Sequence, residues 1–97
     1  MTIQMDDKYL KIVAQVLRRH GLKNEIYAFG SRTRGDHGKY SDLDIVIKSS
    51  ISIAEMTAIK NDLAESQLPI TVDIVVWDQI SDEFKKKIST ELVLLPF

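Results

Sequence analysis

The sequence predicts one layered α/β domain, covering residues 1–97, in which helices pack on a small β-sheet. A chain of 97 residues has the length of a single domain. Short apolar runs rich in β-branched residues have the character of strands. Longer stretches with apolar residues at helical spacing separate these runs, and the chain shows no repeat, low-complexity segment or linker. Strands that alternate with helices are typical of layered α/β folds.

The first helix is predicted to begin at an acidic cap, Asp6 or Asp7, and to continue to about His20. Its apolar stripe consists of Leu10, Val13 and Leu17. Gly21 ends this helix, because glycine adopts the left-handed conformation that often follows a helix C-terminus. The first strand is then predicted over residues 25–29.

A turn at Gly30 and Ser31 follows the first strand. Because glycine has no Cβ, the backbone N–H groups of such a turn can approach an anion closely. Ser31 adds a hydroxyl group that can cap the turn that follows. The turn is therefore a candidate binding site for phosphate.

The second predicted strand starts at Asp42 and carries an Asp-x-Asp pair. Successive side chains of a strand point to opposite faces, so Asp42 and Asp44 share one face. The apolar side chains of the other face are Leu43, Ile45 and Ile47. Two carboxylates on one face of a buried strand are suited to the hard cations that accompany phosphate.

The second long helix is predicted to begin at Ser52, and Pro69 marks its exit. Its apolar positions are Ile53, Met56, Ala58, Ile59 and Leu63. A third strand covers residues 70–76, and the final helix begins at Ser81 or Asp82. The apolar residues of this final helix recur every four positions, as Ile80, Phe84 and Ile88.

Asp73 is the single charge within the third strand, whose other residues are mostly β-branched. A charge in a buried strand is unfavourable unless it is paired or bound to a metal. Asp73 is therefore a candidate site residue. The alternative is an aspartate near the strand end that faces solvent or pairs with a lysine.

Five residues combine into a more specific pattern, Gly-Ser-x-x-x-Gly followed by six residues and then Asp-x-Asp. The pattern consists of Gly30, Ser31, Gly35, Asp42 and Asp44. It resembles the signature of the DNA polymerase beta-type nucleotidyltransferase superfamily. Within that superfamily the chain is most similar to the minimal nucleotidyltransferases, one-domain prokaryotic proteins often encoded beside a small helical HEPN-type partner. The resemblance implies a polymerase beta-like nucleotidyltransferase fold, α+β with a mixed sheet.

The resemblance also implies a chemistry and a set of roles. Asp42, Asp44 and Asp73 would be the catalytic carboxylates and would bind Mg²⁺, with two ions expected and Mn²⁺ as a possible substitute. The Gly30–Ser31 turn would hold the β and γ phosphates of a nucleoside triphosphate. AMP would pass from ATP to an acceptor hydroxyl. In this family the acceptor can be a tyrosine of the HEPN-type toxin, so enzyme and antitoxin could be one protein.

Three further positions are weaker nucleotide-binding candidates. Arg32 and Arg34 lie in the loop after Ser31, where each could contact a triphosphate oxygen or instead be solvated or paired with an acid. Ser41 could orient Asp42 through a hydrogen bond or simply start the strand. The lysines at residues 85–87 are predicted to form a solvated helix face, with binding of nucleic acid or an acidic partner as the alternative.

Composition narrows the class of partner. The chain has 13 basic and 14 acidic residues and a formal net charge of −1, so no broad basic surface suggests a polynucleotide. The absence of cysteine excludes disulfides and thiolate zinc sites. The first residues lack a basic region followed by an apolar run, and no run of 18 apolar residues suggests a membrane span. We therefore expect a cytoplasmic protein.

The apolar ending, residues 92–97, is expected to fold back as an edge strand, to meet a partner, or to do both. So small a domain leaves its carboxylate face open, so a helical HEPN-type partner or a second copy is expected to cover it. A second functional hypothesis is a non-enzymatic antitoxin that neutralises the HEPN-type partner by contact. Three convergent carboxylates favour the enzyme, because a pure binder has no evident need for them.

Overall fold

The computed structural model describes residues 2–22 and 25–95. Every helix and strand predicted from the sequence is present, and two short helices join them: α2 and a 3₁₀ turn at Trp77–Gln79. The elements in chain order are α1 (Asp7–Arg19), β1 (Ile26–Phe29), α2 (Ser31–Arg34), β2 (Leu43–Ile47), α3 (Ile53–Glu65), β3 (Val72–Val76), α4 (Asp82–Ser89) and β4 (Val93–Leu94).

The sheet is mixed, as predicted, with strand order β3-β2-β1-β4. Strand β1 is antiparallel to both β2 and β4, whereas β2 and β3 are parallel. In this register Phe29 lies opposite Asp44, and Asp44 lies beside Asp73. The end of β1 and the starts of β2 and β3 therefore meet at one edge of the sheet.

Helices cover both faces of the sheet. The larger core joins α1 and α3 to one face, and its fully buried residues include Val13, Leu17, Ile26, Leu43, Ile45, Ile47 and Ile59. The smaller core joins α4 to the other face through Phe29, Val46 and Ile88. Because side chains alternate along a strand, the burial of Leu43 and Ile45 on the first face directs Asp44 to the α4 face.

Local capping explains where the long helices begin. The side chains of Asp6, Ser52 and Ser81 accept hydrogen bonds from backbone N–H groups in the first turns of α1, α3 and α4. Helix α1 ends at Arg19, and Gly21 follows with a φ of 79°. These starts and the end of α1 agree with the sequence prediction.

Some local predictions were wrong. Ser31 does not cap the following turn, because it is the first residue of α2 and Gly30 occupies the cap position. Ile53, the first residue of α3, is 83% exposed and is not among the buried core residues. Helix α3 also ends at Glu65, four residues before Pro69.

The apolar ending folds back onto the sheet, which confirms the edge-strand prediction for the described residues. Strand β4 pairs with β1, and the Leu95 N–H donates a hydrogen bond to the Ile26 carbonyl at 2.9 Å. Leu95 is buried, whereas Leu94 is 57% exposed. Pro96 and Phe97 lie outside the described residues. No helix in residues 2–22 and 25–95 is long and apolar enough to cross a membrane.

Candidate active site

Three carboxylates gather at the edge where β2 and β3 begin. Asp44 and Asp73 occupy paired positions of these parallel strands. Asp42 precedes β2 by one residue and lies close enough to form a carboxyl–carboxyl hydrogen bond with Asp73. Asp73 is exposed, so the sequence argument that placed its charge in a buried strand was wrong, although the side chain does join the Asp-x-Asp pair.

The carboxylates perturb one another. The pKa of Asp44 is raised to about 6, first by partial burial and then by the charges of Asp73 and Asp42, while the charge of Arg34 opposes the shift. Although Asp73 is exposed, slight desolvation raises its pKa first, followed by the charge of Asp42 and the hydrogen bond with it, against the charge of Lys60. The protein's own cations therefore do not neutralise this cluster.

The donor set suits a divalent cation. Oxygen ligands from carboxylates are what Mg²⁺ prefers, and it commonly uses one or two of them together with water and substrate phosphates. Within residues 2–22 and 25–95, no three His, Cys, Asp or Glu side chains already converge as a metal-binding group. The described carboxylates therefore do not form a complete protein cage for a metal ion.

Position 30 requires glycine for two reasons, its backbone conformation and its close contact with Asp44. Its φ of 84° and ψ of −156° lie in a region that only glycine adopts readily. A Cβ at this position would overlap the Asp44 Oδ2. The turn between β1 and α2 can therefore lie directly against the carboxylate cluster only because residue 30 has no side chain.

Two cavities meet at the carboxylates. One, of about 540 Å³, lies between the sheet edge and α4, and its walls include Gly30, Ser31, Arg34 and Asp44. The other, of about 570 Å³, lies beside α3, and its polar and apolar walls include Tyr40, Asp42 and Leu63. Lys60 and Asp73 line both cavities. We call them the Gly30 cavity and the Tyr40 cavity.

Arg34 is the arginine of α2 that faces the Gly30 cavity. Its side chain is 45% exposed; Nη1 lies 3.2 Å from Glu91 Oε1, and Nε lies 3.3 Å from Asp36 Oδ2. These two acids, Asp36 first, raise the pKa of Arg34. Arg34 is thus paired with acids, as one of the two alternatives predicted, and it also lines the cavity; its contact with a triphosphate oxygen stays a prediction.

Arg32 faces away from this cavity. Its side chain is buried, and its guanidinium donates to the backbone carbonyls of Gln4 at 2.8 Å, Ser41 at 3.0 Å and Lys39 at 3.3 Å. The prediction of a triphosphate contact at Arg32 is not supported, because these carbonyls bind its nitrogens. Arg32 is also neither solvated nor paired with an acid.

Ser41 closes the loop that precedes the carboxylates. Its Oγ accepts a hydrogen bond from the Gly38 N–H at 2.7 Å, and its carbonyl accepts the bond from Arg32. Strand β2 begins two residues later, at Leu43. The described structure shows no hydrogen bond from Ser41 to Asp42, so its contribution to the site is the shape of the loop.

Sequence reasoning missed three charged residues of the site. Lys60 on α3 lines both cavities, and Lys87 on α4 lines the Gly30 cavity. Glu91, only 9% exposed, accepts a hydrogen bond from the Gly30 N–H at 2.8 Å. The lysines look like any solvated helix residue in the sequence. The one signal at Glu91 is an acidic residue just before an apolar ending.

Comparisons with known proteins agree with this geometry. The chain matches the nucleotidyltransferase domain family over residues 10–95. It is 32% identical over 95 residues to the "Probable protein adenylyltransferase MntA" of Haemophilus influenzae, covering 96% of this chain and 83% of that protein.

Two solved structures share the fold. A protein assigned as a minimal nucleotidyltransferase superimposes with a TM-score of 0.70 at 23% identity, covering 100% of this chain and 97% of that one. A toxin-antitoxin crystal structure with AMP-PNP superimposes with a TM-score of 0.68 at 24% identity, covering 90% of this chain and 72% of that one. These structures share the fold alone, whereas the family match and the relative above establish that this chain belongs to the nucleotidyltransferase domain family.

Proposed function

We propose that this chain is a metal-dependent nucleotidyltransferase that moves AMP from ATP to an acceptor hydroxyl. The observation that carries the proposal is the meeting of Asp42, Asp44 and Asp73 beside the Gly30–Ser31 turn. Membership of the nucleotidyltransferase family supports the reaction class. The adenylyltransferase relative supports ATP as the donor.

In this proposal Asp42, Asp44 and Asp73 hold Mg²⁺, with Mn²⁺ as a substitute. Two such ions would neutralise the triphosphate and polarise the reacting oxygens. The raised pKa of Asp44 supports this assignment, because carboxylates that repel one another gain most from a bound cation. The protein's part is to hold these oxygens at one point of the sheet edge and to position the substrate beside them.

The two cavities suggest which side each substrate occupies. Gly30, Ser31 and Arg34 would hold the β and γ phosphates, so pyrophosphate would leave through the Gly30 cavity. In an in-line displacement the nucleophile approaches opposite the leaving group. The acceptor would therefore enter from the Tyr40 cavity, where Asp42 and Asp73 are exposed.

The transfer balances as one substitution at the α phosphorus. The acceptor oxygen forms a bond to the α phosphorus, and the bond from that phosphorus to the oxygen bridging to the β phosphate breaks. The acceptor proton passes to Asp73, whose carboxylate lines the cavity on the acceptor side. The products are an AMP ester and pyrophosphate.

We further propose that the acceptor is a tyrosine of a HEPN-type toxin and that the chain acts as its antitoxin. A relative named as a protein adenylyltransferase and a fold neighbour from a toxin-antitoxin structure support this proposal. The second hypothesis, neutralisation of the partner by contact alone, predicts the same complex but no transfer of label.

The test is to incubate the purified chain with Mg²⁺, the product of its neighbouring gene, and ATP labelled at either the α or the γ phosphate. Mass spectrometry then locates any modified side chain. We expect α label on the partner and no γ label. Asp42→Asn and Asp44→Asn should each abolish transfer and still fold, whereas the control Glu65→Gln, an exposed acid at the end of α3, should keep it.

Transfer of γ label would indicate a kinase and overturn the proposal. Inhibition of the partner without any label would favour the contact hypothesis. Turnover by both aspartate variants at the unmodified protein's rate would exclude a mechanism based on these carboxylates.

A further inference from the structure

We infer that Glu91 is a positioning residue for the triphosphate, because it holds both the Gly30 turn and the guanidinium of Arg34 in the geometry that faces the Gly30 cavity. This inference rests on the proposed function and adds a residue that the nucleotidyltransferase motif does not contain. Glu91 lies 61 positions after Gly30 in the chain, in the connection between α4 and β4.

Glu91 is a buried acid whose contacts compensate the cost of burying its charge. A buried carboxylate is unfavourable unless hydrogen bonds and an opposite charge compensate it. Its Oε1 accepts the Gly30 N–H at 2.8 Å and the Arg34 Nη1 at 3.2 Å, and its Oε2 lies 3.3 Å from the same Nη1. Both partners belong to the turn that would hold phosphate.

The contacts also determine which part of Arg34 remains for a ligand. Its Nη1 donates a hydrogen bond to Glu91, and its Nε donates one to Asp36 at 3.3 Å. Neither acid bonds to Nη2. Acids on two of its three nitrogens fix the plane of the guanidinium, and Arg34 lines the cavity. A planar guanidinium held in advance binds an anion with less loss of side-chain freedom.

Glu91 also fixes the backbone of the turn. Gly30 packs against Asp44 so closely that no side chain fits between them, and the Gly30 N–H donates a hydrogen bond to Glu91. The carboxylate therefore sets the distance between the turn and the metal-binding cluster. A shift of this turn would misplace the β and γ phosphates relative to the α phosphorus.

The test measures the affinity of ATP, pyrophosphate and AMP, each with Mg²⁺, for the unmodified chain, Glu91→Gln, Arg34→Gln and the double variant. Glutamine keeps a carbonyl oxygen for the Gly30 N–H but loses the charge that holds Arg34. We expect Glu91→Gln to weaken ATP and pyrophosphate by about tenfold, the loss of one charge-assisted bond, and AMP by less than about twofold.

Three further comparisons separate a positioning role of Glu91 from a merely structural role. The double variant should bind ATP no more weakly than Arg34→Gln, because Glu91 acts through Arg34. The control is Glu65→Gln, an exposed acid at the end of α3 that does not line the Gly30 cavity, and it should change ATP affinity less than about twofold. In transfer assays KM for ATP should rise in Glu91→Gln while kcat stays close to that of the unmodified chain.

Equal losses for ATP and AMP, additive losses in the double variant, or tighter ATP binding by Glu91→Gln would each overturn the inference. If Glu91→Gln fails to fold, Glu91→Asp replaces it, because the shorter side chain withdraws from Arg34 and should give the same selective loss. If the parent chain binds ATP and transfers AMP, and Glu91→Gln has the same ATP affinity and activity, only this inference is refuted. An unmodified chain that binds no ATP refutes the proposed function as well.

Discussion

Asp44 has neighbours that decide its ionisation. It is half-buried, with Asp73 and Asp42 close enough for their charges to disfavour its own. Its β-strand position leaves it no freedom to move away, because Leu43 and Ile45 on either side are buried in the core. The sheet therefore holds the carboxylates together against their repulsion, and a metal ion would relieve that repulsion.

The first prediction concerns how the free energy of unfolding depends on pH, and it follows from the direction of the pKa shift of Asp44. The pKa of Asp44 is raised from 3.8 to about 6 in the folded chain, so the folded state binds more protons than the unfolded state between these values. The contribution of protonated Asp44 to the free energy of unfolding is fully present below about pH 4 and is lost as the pH rises through about 6. Without metal, the free energy of unfolding should be larger at pH 5 than at pH 7.

Asp44→Asn is the variant that checks this. It should remove most of that pH dependence and raise the free energy of unfolding at pH 7 by about 1 kcal/mol, a value reduced for the partial exposure of the group. Urea unfolding at pH 5 and pH 7 measures both effects. A variant less stable than the unmodified chain at pH 7 would contradict the repulsion argument.

The second prediction concerns metal and triphosphate. Mg²⁺ or Mn²⁺ with ATP should raise the melting temperature, since ligands at about 100 times their dissociation constant stabilise a fold by about 2.7 kcal/mol. The stabilisation should weaken below about pH 6, because a protonated Asp44 is no longer a good ligand. A thermal-shift series without any response at millimolar metal and ATP would count heavily against the site.

The third prediction compares two glycines of the motif. Gly30 and Gly35 both have positive φ, 84° and 89°, but only Gly30 lies against another residue, Asp44. Gly35→Ala should cost about 1 kcal/mol of backbone strain and keep transfer. Gly30→Ala should cost more, up to about 3 kcal/mol, and should abolish transfer because Asp44 must move. Equal losses of activity in the two variants would refute the role of this contact.

At the scale of elements, the short helix α2 separates two arginines that the sequence does not distinguish. Four residues form this helix, from Ser31 to Arg34, so side chains two positions apart point in different directions. Arg32 turns toward the N-terminal segment and the loop of residues 36–41. Arg34 turns toward the Gly30 cavity. The same element thus joins the loop to the fold and presents a cation to the site.

The fourth prediction uses this difference. Arg32→Gln should lower the free energy of unfolding by about 3 kcal/mol, because the carbonyls of Gln4, Lys39 and Ser41 lose the charge-assisted donors of a buried guanidinium. Arg34→Gln, on the more exposed side of the helix, should change stability by less than about 1 kcal/mol. Chemical denaturation of both variants makes the comparison. The reverse order of stabilities would mean that the two arginines have been assigned wrongly.

At the scale of the whole molecule, the small size of the domain leaves the carboxylates exposed to water. The domain measures 29 × 28 × 20 Å, and its carboxylates lie at a sheet edge where Asp42 and Asp73 are exposed. None of the described elements folds over this edge as a lid. Transfer to an acceptor other than water requires that water be kept away from the α phosphorus. Under the proposed function, the acceptor protein would cover this edge.

The fifth prediction is that the isolated chain is at most weakly active and that it forms an oligomer or a stable complex with the product of its neighbouring gene. The exposed Leu94 on the edge strand β4 is consistent with such an assembly. Light scattering coupled to size-exclusion chromatography, with activity measured in the presence and absence of the partner, provides the measurement. A strict monomer with full activity alone would exclude this prediction.

Much of the fold could be predicted from the sequence because its signals are local. The caps at Asp6, Ser52 and Ser81 depend on a few neighbouring backbone groups. The alternation around Asp44 depends only on strand geometry, so its direction away from the larger core followed from the residues on either side. The spacing from Gly30 to Asp44 determined the family resemblance in the same way.

The rest depended on which strands lie side by side. Asp73 meets Asp44 because β3 pairs with β2 in parallel register, a choice that the sequence of β3 alone does not contain. Glu91 reaches Gly30 only because the chain returns through α4 to place β4 beside β1. The sequence by itself thus determined the helices, the strands and the carboxylate motif, since short-range geometry controls them. Tertiary structure alone decided that Arg32 supports the loop while Arg34 and Glu91 line the site, because those contacts join residues distant in the chain.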